Sequence, residues 1–305
     1  MDRKVVFIGG LFPEELKYEV RNNSIGGIQN AANNLQWNIV NGLVENTFGE
    51  LRVINSMYIG SYPKRYKNIY IKKTEFLIQN NKYNGINTSF VNLPVVKNWF
   101  RRKSIEAEIS KIVKKNSVDS FVLIAYAMTS VMTKILSKYR KHKNVRTILI
   151  VPDLPQFMNF NKQNILINQI RKFNIESMYN HTKKIDGFVL LTDQMKDKIY
   201  LENNKYTVLE GISNPNRNVD NIDRIDNPNG KFIVFYSGGL NEEYGVKKLV
   251  DSVVSINNEN VILQICGSGP LSNYIQELST KKPNICFLGL MDNDKVIKYQ
   301  EEANL

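Results

Sequence analysis

The chain has 305 residues, 42% hydrophobic and 23% charged, a globular balance with more length than one ordinary core takes up, so two domains are expected. Its net charge of +12 divides unevenly: residues 1–200 carry 31 Lys and Arg against 15 Asp and Glu, and residues 201–305 carry 10 against 14. The basic excess predicts an anionic partner for the first part, and the lack of any zinc-finger, RNA-recognition or basic-zipper spacing favours an anionic membrane surface over nucleic acid.

Taken in order, Met1 runs straight into apolar Val5-Val6-Phe7-Ile8 with no secretory signal, and no apolar run approaches the length of a bilayer span. Cys266 and Cys286 sit inside apolar runs without metal-ligand spacing. These features predict a cytoplasmic protein with reduced thiols, peripheral at the inner face of the plasma membrane. Strands are predicted at 5–8, 51–54, 89–92, 121–124, 146–151 and 187–191, with helices between them. The clearest helix spans 27–44, where Ile28, Ala31, Ala32, Leu35, Ile39 and Leu43 recur on one face. Gly26 and Gly27 open it, as either an anion site or a flexible turn. Ser104 is a candidate N-cap for the next helix, with Glu106 and Glu108 in its first turn and Lys111, Lys114 and Lys115 in its last. Trp99-Phe100-Arg101-Arg102-Lys103, the run 62–67 and the run 138–143 pair aromatics with cations, as solvated surface or as membrane-facing patches. Asp153, between Pro152 and Pro155 at a strand end, is a candidate to position a reacting hydroxyl, or a plain turn-forming Asp. His142 and His181 have no partners at ligand spacing, so no catalytic metal is expected.

Turn formers fill 214–230 and mark a surface loop at the boundary between domains 1–200 and 201–305. Beyond it lies a βαβαβα series with strands at 232–236, 261–266 and 284–288, and Asp292 as a candidate cap for the last helix. The first strand runs into Gly238-Gly239, the second into Gly267-Ser268-Gly269-Pro270 and the third into Gly289, each ahead of a helix. Such tips let backbone amides approach a phosphate, and each glycine also suits a tight turn. The nicotinamide or flavin fingerprint is not met, because Ser272 stands at its third glycine position, and there is no Gly-Lys-Ser/Thr phosphate loop.

Several segments together resemble family-4 glycosyltransferases, of the bacterial type that build capsular or other exported polysaccharides. Gly26-Gly27-Ile28-Gln29 is similar to their GG loop. Leu190-Leu191-Thr192 with Asp193 to Ile199 resembles their L-T-x-x-M-K helix, and Glu210-Gly211-Ile212 stands where many have Asn-Gly-Val. Tyr236-Ser237-Gly238-Gly239-Leu240 with Tyr244-Gly245-Val246 resembles their G-R-L … K-G-V segment. Cys266 to Pro270 resembles their G-x-G-P turn, and Phe287-Leu288-Gly289 their F-x-G strand end. The resemblance implies an α/β fold of two facing Rossmann-like domains, the GT-B arrangement, with acceptor site in the first and nucleotide-sugar site in the second. It implies transfer with retention of configuration and no metal, and the membrane contact expected of the basic first part points to a lipid-linked glycan acceptor. The donor site it implies draws on Gly26, Gly27, Gly211, Gly238, Gly239, Gly267, Gly269 and Gly289, with Asp153 and Glu210 as catalytic candidates in the cleft. Where the family has a phosphate-contacting Arg and Lys this chain has Gly239 and Tyr244, leaving Lys247 or Lys248 as replacement. The family's paired glutamates are expected past residue 305, so an incomplete second domain is expected, with an inactive binding or scaffold fragment as the alternative.

Overall fold

The computed structural model describes residues 4–46, 50–78, 83–115, 120–157, 165–199, 201, 205–212, 230–291 and 293–305. They fall into two compact units, Met1–Pro215 and Asn216–Leu305.

Unit 1 alternates strands and helices: β1 (Lys4–Gly9), α1 (Lys17–Asn23), α2 (Asn30–Asn46), β2 (Leu51–Asn55), β3 (Tyr70–Ile71), β4 (Thr74–Ile78), β5 (Tyr83–Asn87), β6 (Phe90–Val91) and α3 (Lys97–Lys115). There follow β7 (Phe121–Tyr126), α4 (Ser130–Tyr139), β8 (Val145–Val151), α5 (Ile165–Thr182), β9 (Gly187–Leu190), α6 (Met195–Ile199) and β10 (Lys205–Val208). Eight strands form one sheet in the order β10-β9-β8-β7-β1-β2-β5-β4, parallel except for β4, which runs antiparallel to β5. The apolar runs of β1, β7 and β8 are covered on both faces, as parallel strands require, by two cores that share the sheet. The chain moves outward from β1 through β2 to β5, then returns to β7 on the other side of β1. Strand order therefore reverses at β1/β7, and the C-terminal edge there is where ligands bind in such sheets.

Three expectations change. The strand predicted at 89–92 is only the two-residue β6, paired with β3 apart from the main sheet, whose place is taken by β5. Residue 85 is glycine because a Cβ there would lie 2.2 Å from the Phe76 ring. Ser104 is no cap: α3 begins at Lys97, and the Ser104 hydroxyl donates to the Ser89 carbonyl at 2.6 Å. Glu106 and Glu108 then fall mid-helix, where they pair with Lys138 at 2.8 Å and with Lys73 and Lys111 at 2.7 and 2.9 Å. Finally, α2 buries Asn33, Gln36, Ile39, Val40 and Val44, a face turned from the predicted one.

Unit 2 contains β11 (Phe232–Gly239), α7 (Val246–Ile256), β12 (Val261–Ser268), α8 (Ser272–Lys281), β13 (Ile285–Gly289) and α9 (Asn293–Glu302). The three strands are parallel in the order β11-β12-β13. Val246, Val250 and Val253 of α7 and Ile275 of α8 pack with Leu263, Ile265 and Ile285 into a core. On the other edge of β11, Leu305 donates to the Ile233 carbonyl at 3.2 Å and accepts from Phe235 N at 2.8 Å. The expected loop at 214–230, apart from Gly230, and Asp292 lie outside the described residues.

Candidate functional site

In unit 2 the glycine-ended tips lie side by side, Gly238 opposite Gly267 and Cys266 opposite Gly289. The glycines serve different ends. At Gly267, with φ of +147°, a Cβ would stand 1.9 Å from the Gly238 carbonyl oxygen, and at Gly269 one would stand 2.5 Å from that of Leu240. These two let strand tips pack backbone against backbone. The Gly269 amide is already used, donating to Ser272 Oγ at 3.0 Å. Gly239 accepts from Tyr236 Oη at 3.0 Å through its carbonyl, and the half-exposed Tyr244 ring lies over it. Gly289 has φ of +66° and opens to solvent.

Lys247 is drawn away from the helix start. Its ammonium pairs with Asp251 one turn on at 2.7 Å and lies 5.3 Å from the centre of the Tyr274 ring, whose hydroxyl donates to the same carboxylate at 2.6 Å. That carboxylate raises the lysine's pKa above its ordinary value.

In unit 1 the register aligns Val151, Leu190 and Val208 across β8, β9 and β10. Asp153 and Glu210, each two residues past its strand, therefore leave the same edge, two strand spacings or about 10 Å apart. Both are exposed. Gly211 follows Glu210, and the Ile212 carbonyl accepts from Asn38 Nδ2 of α2 at 3.0 Å, which holds this segment against the helix. Gly26, with φ of +89°, and Gly27 lie exposed before α2, in a segment tied to the chain near 66 by the Ser24–Tyr66 bridge.

Sequence reasoning missed the groups that build the β1/β7 edge. The Gly10 and Phe12 amides donate to Gln36 Oε1 and Asn33 Oδ1, both at 2.7 Å, which is why α2 turns these polar residues inward. Tyr58 Oη donates to the Tyr126 carbonyl at 2.7 Å and so ties the β2 tip to the β7 tip. Burial pushes the Tyr58 phenol up to about 12 and holds that of Tyr126 higher still, with Tyr58 and then Asp153 adding to the effect on Tyr126. Ala127, just past β7, has φ of +73°, a strained value for alanine and of the kind that collects at functional sites. Asn33, Gln36 and Val40, polar and apolar at helical spacing, were the available signal. The two histidines are engaged locally: His181 Nδ1 is 3.3 Å from Ser137 Oγ, and His142 stacks on Tyr139.

Residues 219–305 match the family Glycosyl transferases group 1. No protein with a curated description matches the sequence. Among solved structures, the chain is similar to the catalytic domain of Starch Synthase IV from Arabidopsis thaliana bound to ADP and acarbose, at 8% identity and a TM-score of 0.58, covering 98% of this chain and 76% of that one. It is similar to the lipopolysaccharide outer core galactosyltransferase WaaB in its apo form, at 16% identity and 0.53, covering 98% and 72%. It is also similar to a UDP-N-acetylglucosamine 2-epimerase, at 11% identity and 0.51, covering 100% and 73%. Identities this low speak to fold, and the fold class is α/β with two Rossmann-like units, as in GT-B glycosyltransferases. The group 1 segment includes every glycine-ended tip of unit 2.

Proposed function

We propose that the protein is a glycosyltransferase that moves a sugar from a nucleotide-sugar onto an acceptor. The observation that carries this reading is the group 1 match over a unit whose parallel strands bring Gly238, Gly267 and Gly289 to neighbouring tips. In the reaction the bond from the sugar's anomeric carbon to the diphosphate breaks and one to an acceptor hydroxyl forms, with retained configuration. The leaving diphosphate is met by strand-tip amides, helix N-termini and basic side chains, so the reading calls for no metal. Gly238, Gly239 and Gly289 approach the donor, with Gly267 and Gly269 packing the tips beneath it, and Lys247 joins if it exchanges Asp251 for phosphate. In unit 1, Asp153 and Glu210 orient the reacting hydroxyl, and Gly26, Gly27 and Gly211 let backbone approach an anion.

The acceptor in this reading is a lipid-linked glycan of bacterial polysaccharide synthesis, reached at an anionic membrane. Ile69, Tyr70, Val95, Val96 and Trp99 are exposed apolar groups; Lys64, Lys67 and Lys72, close to them in sequence, are exposed too, and Lys103 Nζ lies 5.9 Å from the centre of the Trp99 ring. Exposed apolar groups together with exposed cations suit a headgroup layer. Two expected contributors drop out: Arg101 is buried, and the run 138–143 precedes β8, at the opposite edge of the sheet. Val95→Asp is expected to release the protein from phosphatidylglycerol vesicles in co-sedimentation, and unchanged binding would remove this surface from the proposal.

Uridine, guanosine and adenosine diphospho-sugars offered with lipid-linked oligosaccharide test the transfer, read as nucleoside diphosphate released and glycan mass gained. Release and mass gain with one donor are expected. A second reading, donor binding without transfer, is favoured by Gly239 and Tyr244 standing at the family's cationic positions and by the pairing of Lys247. It predicts stabilisation by a nucleoside diphosphate with no product.

A further inference from the structure

Buried charges in proteins are ordinarily paired with opposite charge. Lys97 and Arg101, one turn apart on α3, are 9% and 7% exposed, and both face neutral groups. Lys97 Nζ donates to the Ile59 carbonyl at 2.5 Å. Arg101 Nε donates to Ser56 Oγ at 2.9 Å and Nη2 to the Ser56 carbonyl at 2.5 Å. The guanidinium lies 4.9 Å from the centre of the Tyr58 ring and 5.6 Å from that of Phe90, which also lies 6.0 Å from Lys97. No carboxylate among the described residues pairs with either cation. An ammonium and a guanidinium together carry many more donors than these bonds use. In the same layer Asn92 donates to the Gly60 carbonyl at 3.0 Å, while its buried Oδ1 has no partner among the described residues.

We propose that Lys97 and Arg101 form an oxyanion site at the tip of β2 that takes a phosphate group. The residues of this site all belong to unit 1, so it stands whether or not the chain transfers sugar. It lies beside β1, where strand order reverses. A bound phosphate supplies the missing counter-charge and takes up the spare donors, and charge-assisted bonds of this kind are the strong ones. Burial first, and then the neighbouring Arg101 charge, bring Lys97 down to about 7, as befits a cation pair short of negative charge. The shared chemistry is a phosphate monoester or diester, carried by a lipid headgroup or by a soluble sugar phosphate.

The test is the melting temperature of the whole chain titrated with inorganic phosphate at constant ionic strength. A saturable rise is expected for the wild type and for Lys97→Arg. Lys97→Gln keeps a donor for the Ile59 carbonyl but loses the charge, and its half-saturating phosphate is expected to rise by about tenfold or more. Arg101→Gln gives an independent reading of the same kind. A wild-type rise that only tracks a sodium chloride control, or a Lys97→Gln titration that matches the wild type, overturns the site. Displacement of phosphate by phosphatidic acid vesicles assigns a headgroup, displacement by glucose 1-phosphate alone assigns a solute, and displacement by neither counts against the proposal.

Discussion

At residue 267 the difference between hydrogen and methyl decides whether two strand tips meet. Gly267→Ala places a carbon 1.9 Å from the Gly238 carbonyl oxygen, in a backbone conformation that side chains rarely adopt. It is expected to cost unit 2 about 2–4 kcal/mol in chemical denaturation. Gly27 and Gly211 differ, because a Cβ at either would meet nothing within 4 Å and neither has a positive φ. Gly27→Ala and Gly211→Ala are therefore expected to melt like the wild type, and any loss they cause should appear in ligand affinity alone. Lys97 sets a pH dependence. Its folded value of about 7 lies below the ordinary 10.5, so between those pH values the unfolded chain holds a proton that the folded chain has lost. Stability then rises with pH across that window, by at most about 1.4 kcal/mol per pH unit, and below it the buried charge exacts its full cost. Tyr58 and Tyr66, both raised from 10.0 to about 12 by burial, oppose the trend above pH 10. Denaturation from pH 6 to 10 checks this, and Lys97→Met is expected to flatten the slope.

At the scale of elements, α2 and α3 carry the lesson. Hydrophobic spacing located α2, yet its buried face was misjudged, because Gln36 and Asn33 are needed inside as acceptors for the tip of β1. That demand comes from a strand over twenty residues away and leaves no mark on apolar periodicity. Gln36→Leu leaves the Gly10 amide buried without an acceptor and is expected to cost about 1–3 kcal/mol by thermal or urea denaturation. α3 starts seven residues before the proposed cap, which turns Arg101 from a surface cation into an interior one. Asp186 shows a pairing invisible in sequence: its carboxylate accepts from Thr147 N at 2.9 Å and Thr147 Oγ1 at 3.0 Å, and pairs with Arg140. Asp186→Ala is expected to loosen β8 from β9, visible as faster amide exchange at Thr147.

At the scale of the molecule, strand order reverses at β1/β7 in the largely parallel sheet of the first unit, and glycines gather at the strand tips of the parallel sheet of the second. If the glycine-ended tips of the second unit are the donor site, a nucleoside diphosphate is expected to slow amide exchange in β11 and β12 and leave β2 unchanged. Protection confined to unit 1 would move the donor there. The parallel α/β class, most strand positions and the glycine-ended tips of unit 2 were legible in the sequence alone, because apolar runs and strand-end glycines are local properties of a few adjacent residues. Which glycines separate backbones and which leave open space, the burial of Arg101 and the capture of Lys247 by Asp251 were decided by tertiary structure. Each depends on which distant backbone or side chain arrives within a few ångströms, and that distance exists only once the sheets have closed.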